Sequence, residues 1–313
     1  MSAIPWIGQD VVETLWTQTL PFITSASSLP VIGTINWNTI HNGRTKPYTQ
    51  LELTKFLQIP YDVVARFIGL VDAEGTISVS NSNGYIRIFL KISMHKRDLE
   101  LLQVVRSTML NIGVIHNVNA AGKISWVIPR TDLQEVLFPL MLYHNIYFLV
   151  ETRGIQFNTA MHVIEQKLTQ WTSLETLRST LSTQYLCALP LSPAAYLALP
   201  FWNPWVVGFV IGDGSFHVKK NLDACFSVSQ RTQPNLFAAI ALLFESTRKI
   251  GITEKGLYMR LSLSSKADIQ RVVTFFSVTC PMLLGTKDLQ YKNWLTYLKT
   301  SARYSKLEFG KPE

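Results

Sequence analysis

The chain has 313 residues and a formal net charge of +8, with 29 Lys and Arg against 21 Asp and Glu. Apolar residues make up 47% of it, enough to bury a sizeable core, which excludes wholesale disorder and, with the length, suggests about two domains. Cys187, Cys225 and Cys280 are too few and too scattered for a disulfide framework or a cysteine-based zinc site. The basic balance favours an anionic partner, either nucleic acid or a membrane surface.

The membrane alternative rests on an uncharged stretch between Arg178 and Asp213. It is long enough to span a bilayer, which takes about 20 apolar residues. Four prolines break it into short pieces, and each proline costs about 3 kcal/mol inside a helix. The sequence therefore predicts an apolar linker that leads into a buried helix, and no membrane partner. The beginning of the chain shows neither a signal-peptide pattern nor an Arg-rich transit peptide.

One sequence unit occurs twice. Residues 67–79 and 206–218 align without gaps, and each segment has an apolar run, an acid, a glycine and a strand-like alternation. Both halves continue with a second strand pattern, an amphipathic helix, an alternating strand and a polar helix entry. This order predicts an α+β fold built from two αββαββα units. We expect an N-terminal extension over 1–58, a first unit over 59–167, a linker over 168–200 and a second unit over 201–313.

The apolar runs of the repeat predict two fully buried helices. Gly69 and Gly208 lie inside these runs and remove side chains where another backbone would approach closely. We therefore expect the two helices to pack against each other as the central seam between the halves. Gly75 and Gly214 follow the runs and are expected to end the helices with positive φ.

Glu74 and Asp213 then stand at the carboxyl ends of the paired helices. A carboxylate is unfavourable there because the helix end carries partial negative charge, and two adjacent carboxylates also repel each other. A divalent cation between them removes both penalties, and hard oxygen ligands suit Mg²⁺. One acid–glycine pair alone would be an ordinary helix-to-strand turn, but two copies at domain spacing favour a shared site.

Residues 67–75 and 206–214 resemble the two motifs of double-motif LAGLIDADG homing endonucleases. The resemblance extends over residues 59–305, including a box at 286–294 and the tail Arg303-Tyr-Ser305. It implies that the antiparallel sheets form a DNA-binding saddle around the motif helices. It also implies a monomeric enzyme of intron homing that hydrolyses both strands of a long, asymmetric DNA site with two or more Mg²⁺ ions.

The same resemblance implies roles for the residues at the helix ends. Glu74 and Asp213 would be the metal-binding catalytic acids, and the backbone carbonyls of Ala73 and Gly212 would add ligands. Asp72 is matched by Ile211 in the second copy, so it is not expected to be a shared ligand.

Three further residues match the basic and water-ordering positions of the family. Gln230 would order water around the metals, although its counterpart Met94 cannot do this well. Lys287 would polarise solvent or stabilise charge at the scissile phosphate, and its counterpart Arg153 is a good phosphate clamp but a poor proton donor. Ordinary surface charge at a helix start is the alternative for Lys287 and Arg153. Because of these departures, the sequence leaves open whether both DNA strands are cut equally.

DNA contacts are expected from the strands, because a two-stranded ribbon fits the major groove and alternate residues face one side. A solvated strand face is the alternative for any one of these positions. The expected contacts are Ser78, Ser80, Ser82, Arg87, Lys91, Lys123, Ser125, His217, Lys219, Asn221, Asp223, Ser227, Arg231, Tyr258, Arg260 and Ser262. Phe89 and Cys225 fall on the same faces.

Two other functions remain open at this point. An intron-RNA maturase with weak or no nuclease activity would have the chain's own intron RNA as partner, and a non-catalytic DNA-binding regulator would tolerate a lost acid. The retained acids favour the nuclease. Residues 2–12 resemble a cytochrome b segment, which would fit an intron reading frame fused to an exon; a chance match is the alternative. A mitochondrial matrix location follows if the gene lies in the organelle.

Overall fold

The computed structural model describes residues 50–177 and 189–310. The first half contains α1 (Gln50–Leu57), α2 (Tyr61–Glu74), β1 (Gly75–Ser82), β2 (Tyr85–His95), α3 (Leu99–Thr108), β3 (Val114–His116), β4 (Lys123–Pro129), α4 (Phe138–Tyr143), α5 (Glu151–Glu165) and α6 (Trp171–Glu175). The second half contains α7 (Pro193–Leu197), α8 (Trp202–Asp213), β5 (Gly214–Val218), β6 (Ala224–Arg231), α9 (Pro234–Leu243), β7 (Gly251–Thr253), β8 (Tyr258–Leu263), α10 (Lys266–Thr274) and α11 (Gly285–Thr300).

Each half forms one antiparallel four-stranded sheet. The strand orders are β1-β2-β4-β3 and β5-β6-β8-β7, so the second sheet repeats the first. Gly75 lies opposite Ile92 in the first sheet, and Gly214 lies opposite Val228 in the second. Met94 lies two residues after Ile92, and Gln230 lies two residues after Val228. The two positions are therefore equivalent, as the sequence alignment predicts.

The two motif helices α2 and α8 pack against each other and form the seam between the halves. A Cβ on Gly69 would stand 2.0 Å from the carbonyl oxygen of Trp205, and one on Gly208 would stand 1.9 Å from that of Arg66. Both helices are apolar on nearly every face, because the seam covers one side and the sheets cover the other. The expected close approach at both glycines is confirmed.

The expectation of positive φ after the motif helices is wrong. Gly75 has φ −88° and Gly214 has φ −84°, since the chain passes directly from each helix into an extended strand. Glycine is needed there for space. A Cβ on Gly75 would stand 2.6 Å from the carbonyl oxygen of Val71, and one on Gly214 would stand 2.5 Å from a methyl group of Val210.

Each half contains one helix more than the predicted αββαββα order, and this helix lies between the last strand and the closing helix. In the first half a helical stretch begins at Arg130 and continues through α4, with a π-helical piece at Leu133–Leu137; in the second half α10 runs into a π-helical piece at Phe275–Thr279. The first stretch is hidden in sequence because its core side chains form an almost continuous apolar run, which carries no helical period.

The boundaries of the two halves are also better defined. Phe56 of α1 is buried, so the core of the first half includes a residue of the stretch 1–58 that was expected to be an extension. The predicted linker holds the short helices α6 and α7, whose Leu174 and Tyr196 are buried. Residues 178–188 of that linker lie outside the described residues, as does the segment resembling cytochrome b. Within the described ranges, no helix is both long and apolar enough to cross a membrane.

Candidate active site at the ends of the paired helices

Glu74 and Asp213 are the last residues of α2 and α8, and the seam brings these two helix ends together. The Cγ of Glu74 lies 2.8 Å from the point where a Cβ on Gly212 would stand, and the Cβ of Ala73 lies 2.5 Å from the same point. Only glycine therefore fits at 212. The carbonyls of Ala73 and Gly212 belong to the last helical turns, where carbonyl oxygens have no partner within the helix.

The two carboxylates are held in an unfavourable electrostatic setting. Burial and then the neighbouring charge of Glu74 raise the pKa of Asp213 to about 8. Burial also raises the pKa of Glu74, while Lys123 opposes that shift. Neither acid forms an ion pair with a described residue. The positive charges of Lys123, Arg153 and Lys287 act on the acids without pairing with them. Two adjacent acids that lack an ion-pair partner are a donor set that a divalent cation satisfies.

The donor set fits a hard cation that keeps part of its water. Across 50–177 and 189–310 there is no cluster of three or more His, Cys, Asp or Glu side chains. The protein ligands on offer are therefore two carboxylates and two backbone carbonyl oxygens. Mg²⁺ is bound in this way, through one or two carboxylates with the remaining positions left to water and substrate phosphate.

Gln230 and Lys287 both lie beside Asp213. The Nε2 atom of Gln230 donates a hydrogen bond of 2.6 Å to Oδ2 of Asp213. The Nζ atom of Lys287 donates to the carbonyl oxygen of Gly214, the residue that follows the acid. Burial lowers the pKa of Lys287, and the carboxylates of Asp98 and Asp213 oppose that shift. An amide thus contacts Asp213, and a partly desolvated amine bonds to the residue that follows it. The positive charge of Arg153 also acts on Asp213, more strongly than that of Lys287.

The corresponding positions around Glu74 hold different chemistry. Arg153 is the third residue of α5, as Lys287 is of α11. Its Nε atom lies 3.4 Å from the carbonyl oxygen of Val71, and its Nη1 atom lies 3.3 Å from Oε1 of Gln156. Met94 stands where Gln230 stands in the other half, and it is buried. The site is therefore asymmetric in both the water-ordering and the basic position.

Asp72 is fully buried and has a structural task. Its carboxylate accepts hydrogen bonds from the backbone N–H groups of Leu149 and Val150, at 2.8 and 3.3 Å, and from Nε1 of Trp205 at 2.8 Å. It thereby fixes the chain immediately before α5, which carries Arg153. Its counterpart Ile211 has no such acceptor, so this contact belongs to the first half alone.

A family model described as "LAGLIDADG endonuclease" matches residues 67–164, the stretch from the first motif helix almost to the end of α5. Over these residues the chain matches the LAGLIDADG endonuclease family. The second motif helix repeats the geometry of the first across the seam, so the chain carries this motif helix twice.

Individual proteins also resemble this chain, one in sequence and two in fold. A curated relative, the "Probable intron-encoded endonuclease aI3" of Dictyostelium citrinum, is 19% identical over 239 residues, which cover 74% of this chain and 93% of the relative. A structure titled "Crystal Structure of Meganuclease I-SmaMI Bound to Uncleaveable DNA with a TTCT Central Four" matches with TM-score 0.57 at 18% identity, covering 77% of this chain and 92% of that one. A structure of "the I-LtrWI LAGLIDADG homing endonuclease bound to target DNA" also matches with TM-score 0.57 at 18% identity, covering 77% and 91%.

The open face of the first sheet has the polar alternation that the sequence predicts. Buried Ile77 and Val79 alternate with the outward residues of β1, and the same holds along β2 and β4. The expected contact residues on this face are Ser78, Ser80, Ser82, Arg87, Lys91, Lys123 and Ser125. The guanidinium of Arg87 lies 5.1 Å from the ring centre of Phe89 on the same face.

The open face of the second sheet differs from the expectation at several positions. His217, Arg231, Tyr258, Arg260 and Ser262 lie on it as predicted.

The expectation that Cys225 and Ser227 are exposed is wrong. Both are buried, and Arg260 reaches over to donate to the Ser227 hydroxyl at 3.3 Å. Sequence alternation places a residue on a face but does not show which long neighbour covers it.

The turn between β5 and β6 is also more closed than expected. Lys219, Asn221 and Asp223 lie in this turn and not on the sheet face. The carboxylate of Asp223 is ion-paired with Arg303 and accepts a hydrogen bond from Nδ2 of Asn221 at 3.0 Å. Arg303 comes from the tail after α11, so the pairing closes the turn with a distant segment and leaves Asp223 a poor candidate for a base contact.

Sequence reasoning missed two polar residues near the basic side chains. Asp98 is buried and accepts a hydrogen bond from the hydroxyl of Thr286, next to Lys287. Gln233 bonds to the backbone around the start of α5. Each stands directly before a helix, where a polar residue is expected as a cap of that helix. That ordinary interpretation conceals their actual partners.

Proposed function

We propose that this protein is a site-specific endonuclease that hydrolyses both strands of a long DNA site with a divalent metal ion. One observation carries the proposal: Glu74 and Asp213, one acid from each half, meet at the ends of the seam helices, and neither forms an ion pair with a described residue. Bringing two partly buried acids together reduces stability, and a bound cation would offset this cost.

Some of the structures that share this fold contain bound DNA. I-SmaMI has been solved "bound to uncleaved DNA target in the presence of Calcium ions" and, in another structure, "bound to cleaved DNA". Those statements concern I-SmaMI, and they support the proposed substrate for this chain because both share the fold. For the present chain we propose Mg²⁺, bound by Glu74, Asp213 and the carbonyls of Ala73 and Gly212.

The residues around the acids would divide the remaining work. Bound metal ions would supply Lewis-acid activation of water and stabilisation of the leaving oxygen. Gln230 holds the Asp213 carboxylate in one orientation, while its own Oε1 accepts from the backbone N–H of Arg231, so the second hydrogen of its amide would be left for water. Lys287 would place a cationic donor beside the residue that follows Asp213. Arg153, whose charge acts on both acids, would offer the remaining donors of its guanidinium to a phosphate.

The open faces of the two sheets would hold the DNA on either side of this site. Their exposed cations suit phosphates and their serines suit base edges in the major groove. Because both halves lie in one chain, a monomer suffices. We also propose that 59–167 and 201–313 are the two structural units, and that the protein acts in the mitochondrial matrix if its gene lies in the organelle.

The site gives the maturase alternative no support. A protein that only binds its intron RNA has no use for two adjacent acids at a shared helix end, and the regulator alternative would tolerate the loss of one of them. Both acids and the Gln230 hydrogen bond are present.

The direct test is a plasmid that carries the two flanking exons joined without the intron. Purified protein with Mg²⁺ is expected to convert this plasmid to a linear product and to leave a matched plasmid with the intron inserted uncut. Gel electrophoresis over time, with EDTA as the metal-free control, measures both. Specific binding to the joined exons without any cleavage would contradict the proposal.

A further inference from the structure

Asp98 and Gln233 occupy the same kind of position in the two halves. Each is the residue immediately before a helix, Asp98 before α3 and Gln233 before α9. A polar residue there normally accepts a hydrogen bond from the first turn of its own helix. Neither side chain does so. Both are directed to the opposite half of the molecule.

Asp98, from the first half, holds the start of α11 in the second half. Its carboxylate accepts a hydrogen bond from the hydroxyl of Thr286, the residue before Lys287. The neighbouring Gly285 has φ +58°, and a Cβ on it would stand 2.7 Å from the Cβ of Leu101 on α3. Asp98 is also the carboxylate that acts most strongly on the charge of Lys287.

Gln233, from the second half, holds the start of α5 in the first half. Its Nε2 atom donates to the carbonyl oxygen of Leu149 at 2.5 Å, and its Oε1 atom accepts from the backbone N–H of Glu151 at 3.3 Å. These two bonds span the residue before α5 and stand two residues ahead of Arg153. The hydroxyl of Tyr196 lies 3.2 Å from the same Nε2 atom and restrains the amide.

We propose that Asp98 and Gln233 are positioning residues that form a crossed pair, each fixing the helix start that carries the basic residue of the other half. Lys287 then depends on the first half for its position, and Arg153 depends on the second. Neither basic residue is placed until both halves have docked. The catalytic meaning of this arrangement rests on the proposed endonuclease function, but the crossed contacts themselves do not.

Measuring the cleavage of each DNA strand separately tests whether the crossed pair affects catalysis. We would label one strand or the other of the joined-exon duplex and measure both rates under single-turnover conditions. Asp98→Asn is expected to shift the ratio of the two rates about tenfold in the direction that Lys287→Met shifts it. Gln233→Leu is expected to shift the ratio the opposite way, since it disturbs the other basic residue.

Asp268→Asn is the matched control. Asp268 is also a buried aspartate at a helix start, but it caps its own helix α10 through a reciprocal bond with Ser265. The control is expected to lose stability and to slow both strands equally, so a purely structural role leaves the ratio unchanged. The proposal is overturned if Asp98→Asn and Gln233→Leu also leave the ratio unchanged, or shift it in the same direction.

Hydrogen–deuterium exchange tests the crossed contacts without any nuclease activity. Asp98→Asn should raise amide exchange at residues 285–290, and Gln233→Leu should raise it at residues 149–155, in each case in the half that does not carry the substitution. Exchange that rises only in α3 or α9 would overturn the proposal. If the wild-type protein fails to cut DNA while these exchange patterns appear, the endonuclease function is wrong but the crossed pair of Asp98 and Gln233 is still supported.

Discussion

At the scale of single residues, one position on the second β-strand of each sheet distinguishes the surroundings of the two acids. Gln230 donates to Asp213, whereas the equivalent Met94 offers Glu74 no polar atom beyond a weakly accepting sulfur. Hydrogen bonds to charged groups contribute about 1.5–3 kcal/mol, so this difference is large enough to make the two strand cuts unequal.

Met94→Gln is therefore expected to speed the slower strand cut by about tenfold, and Gln230→Met to slow the faster one by a similar factor. Strand-labelled duplexes under single-turnover conditions measure both effects. The two variants control for each other, because they exchange the same side chains at equivalent positions. Equal rates on both strands in the wild type, unchanged in either variant, would show that this position does not act on the reaction.

The raised pKa of Asp213 predicts how stability depends on pH in the absence of metal. Its ordinary value is 3.8 and the fold raises it to about 8, so the folded state favours the protonated form. Stability is then lost as pH rises between these values, because ionisation is easier in the unfolded chain. In EDTA, Asp213→Asn is expected to be more stable than wild type by on the order of 1–2 kcal/mol at pH 8, after allowance for solvent screening at this partly exposed site.

Thermal unfolding in EDTA between pH 5 and 8 measures this difference, which should grow with pH. Asp223→Asn is the control, because Asp223 is ion-paired with Arg303 and its loss should lower stability. Excess Mg²⁺ should raise the melting temperature of wild type but not of Asp213→Asn, since a ligand stabilises only the state that binds it. A variant that is less stable than wild type at pH 8 in EDTA would contradict the electrostatic interpretation.

At the scale of elements, the seam depends on two glycines. Gly208→Ala would place a methyl group 1.9 Å from the Arg66 carbonyl oxygen, which the helix pair can accommodate only by moving apart. We expect a loss of about 3 kcal/mol or more, at the upper end of overpacking costs. Chemical denaturation measures it. Gly251→Ala is the matched control, since the nearest atom to its Cβ is 3.7 Å away, and an equal loss there would argue against a special role for the seam.

The sequence predicted those elements whose signal is local. The repeat located α2 and α8, the glycine at their crossing, the acids at their ends and the outward residues of β1 and β2, because hydrophobic period and chain position determine them. It gave the wrong conformation for Gly75, because helix-end rules describe a turn and the chain continues directly into a strand.

Features that depend on distant contacts could not be predicted in this way. The burial of Ser227 under Arg260 and the closing of Asp223 by Arg303 join residues far apart in sequence. Asp98 and Gln233 have the composition of ordinary helix caps, and only the docking of the two halves shows that their side chains bind elsewhere. The extra helix before α5 was hidden in a continuous apolar run.

At the scale of the whole molecule, the +8 charge and the high apolar content belong to different places. The apolar residues lie mainly in the seam helices and under the sheets, while exposed cations such as Lys91, Lys123 and Arg260 lie on the open sheet faces. The acids meet only where the two halves join. The proposed function would therefore require the pair of units.

The central claim is that one acid from each half forms a single metal-dependent cutting site. The most direct measurement compares wild type, Asp213→Asn and Glu74→Gln for both binding and cleavage of the joined-exon duplex in Mg²⁺. We predict that each variant binds the duplex with near wild-type affinity and yields no linear product. Continued double-strand cleavage by Asp213→Asn would contradict the account, because the metal site would then lie elsewhere.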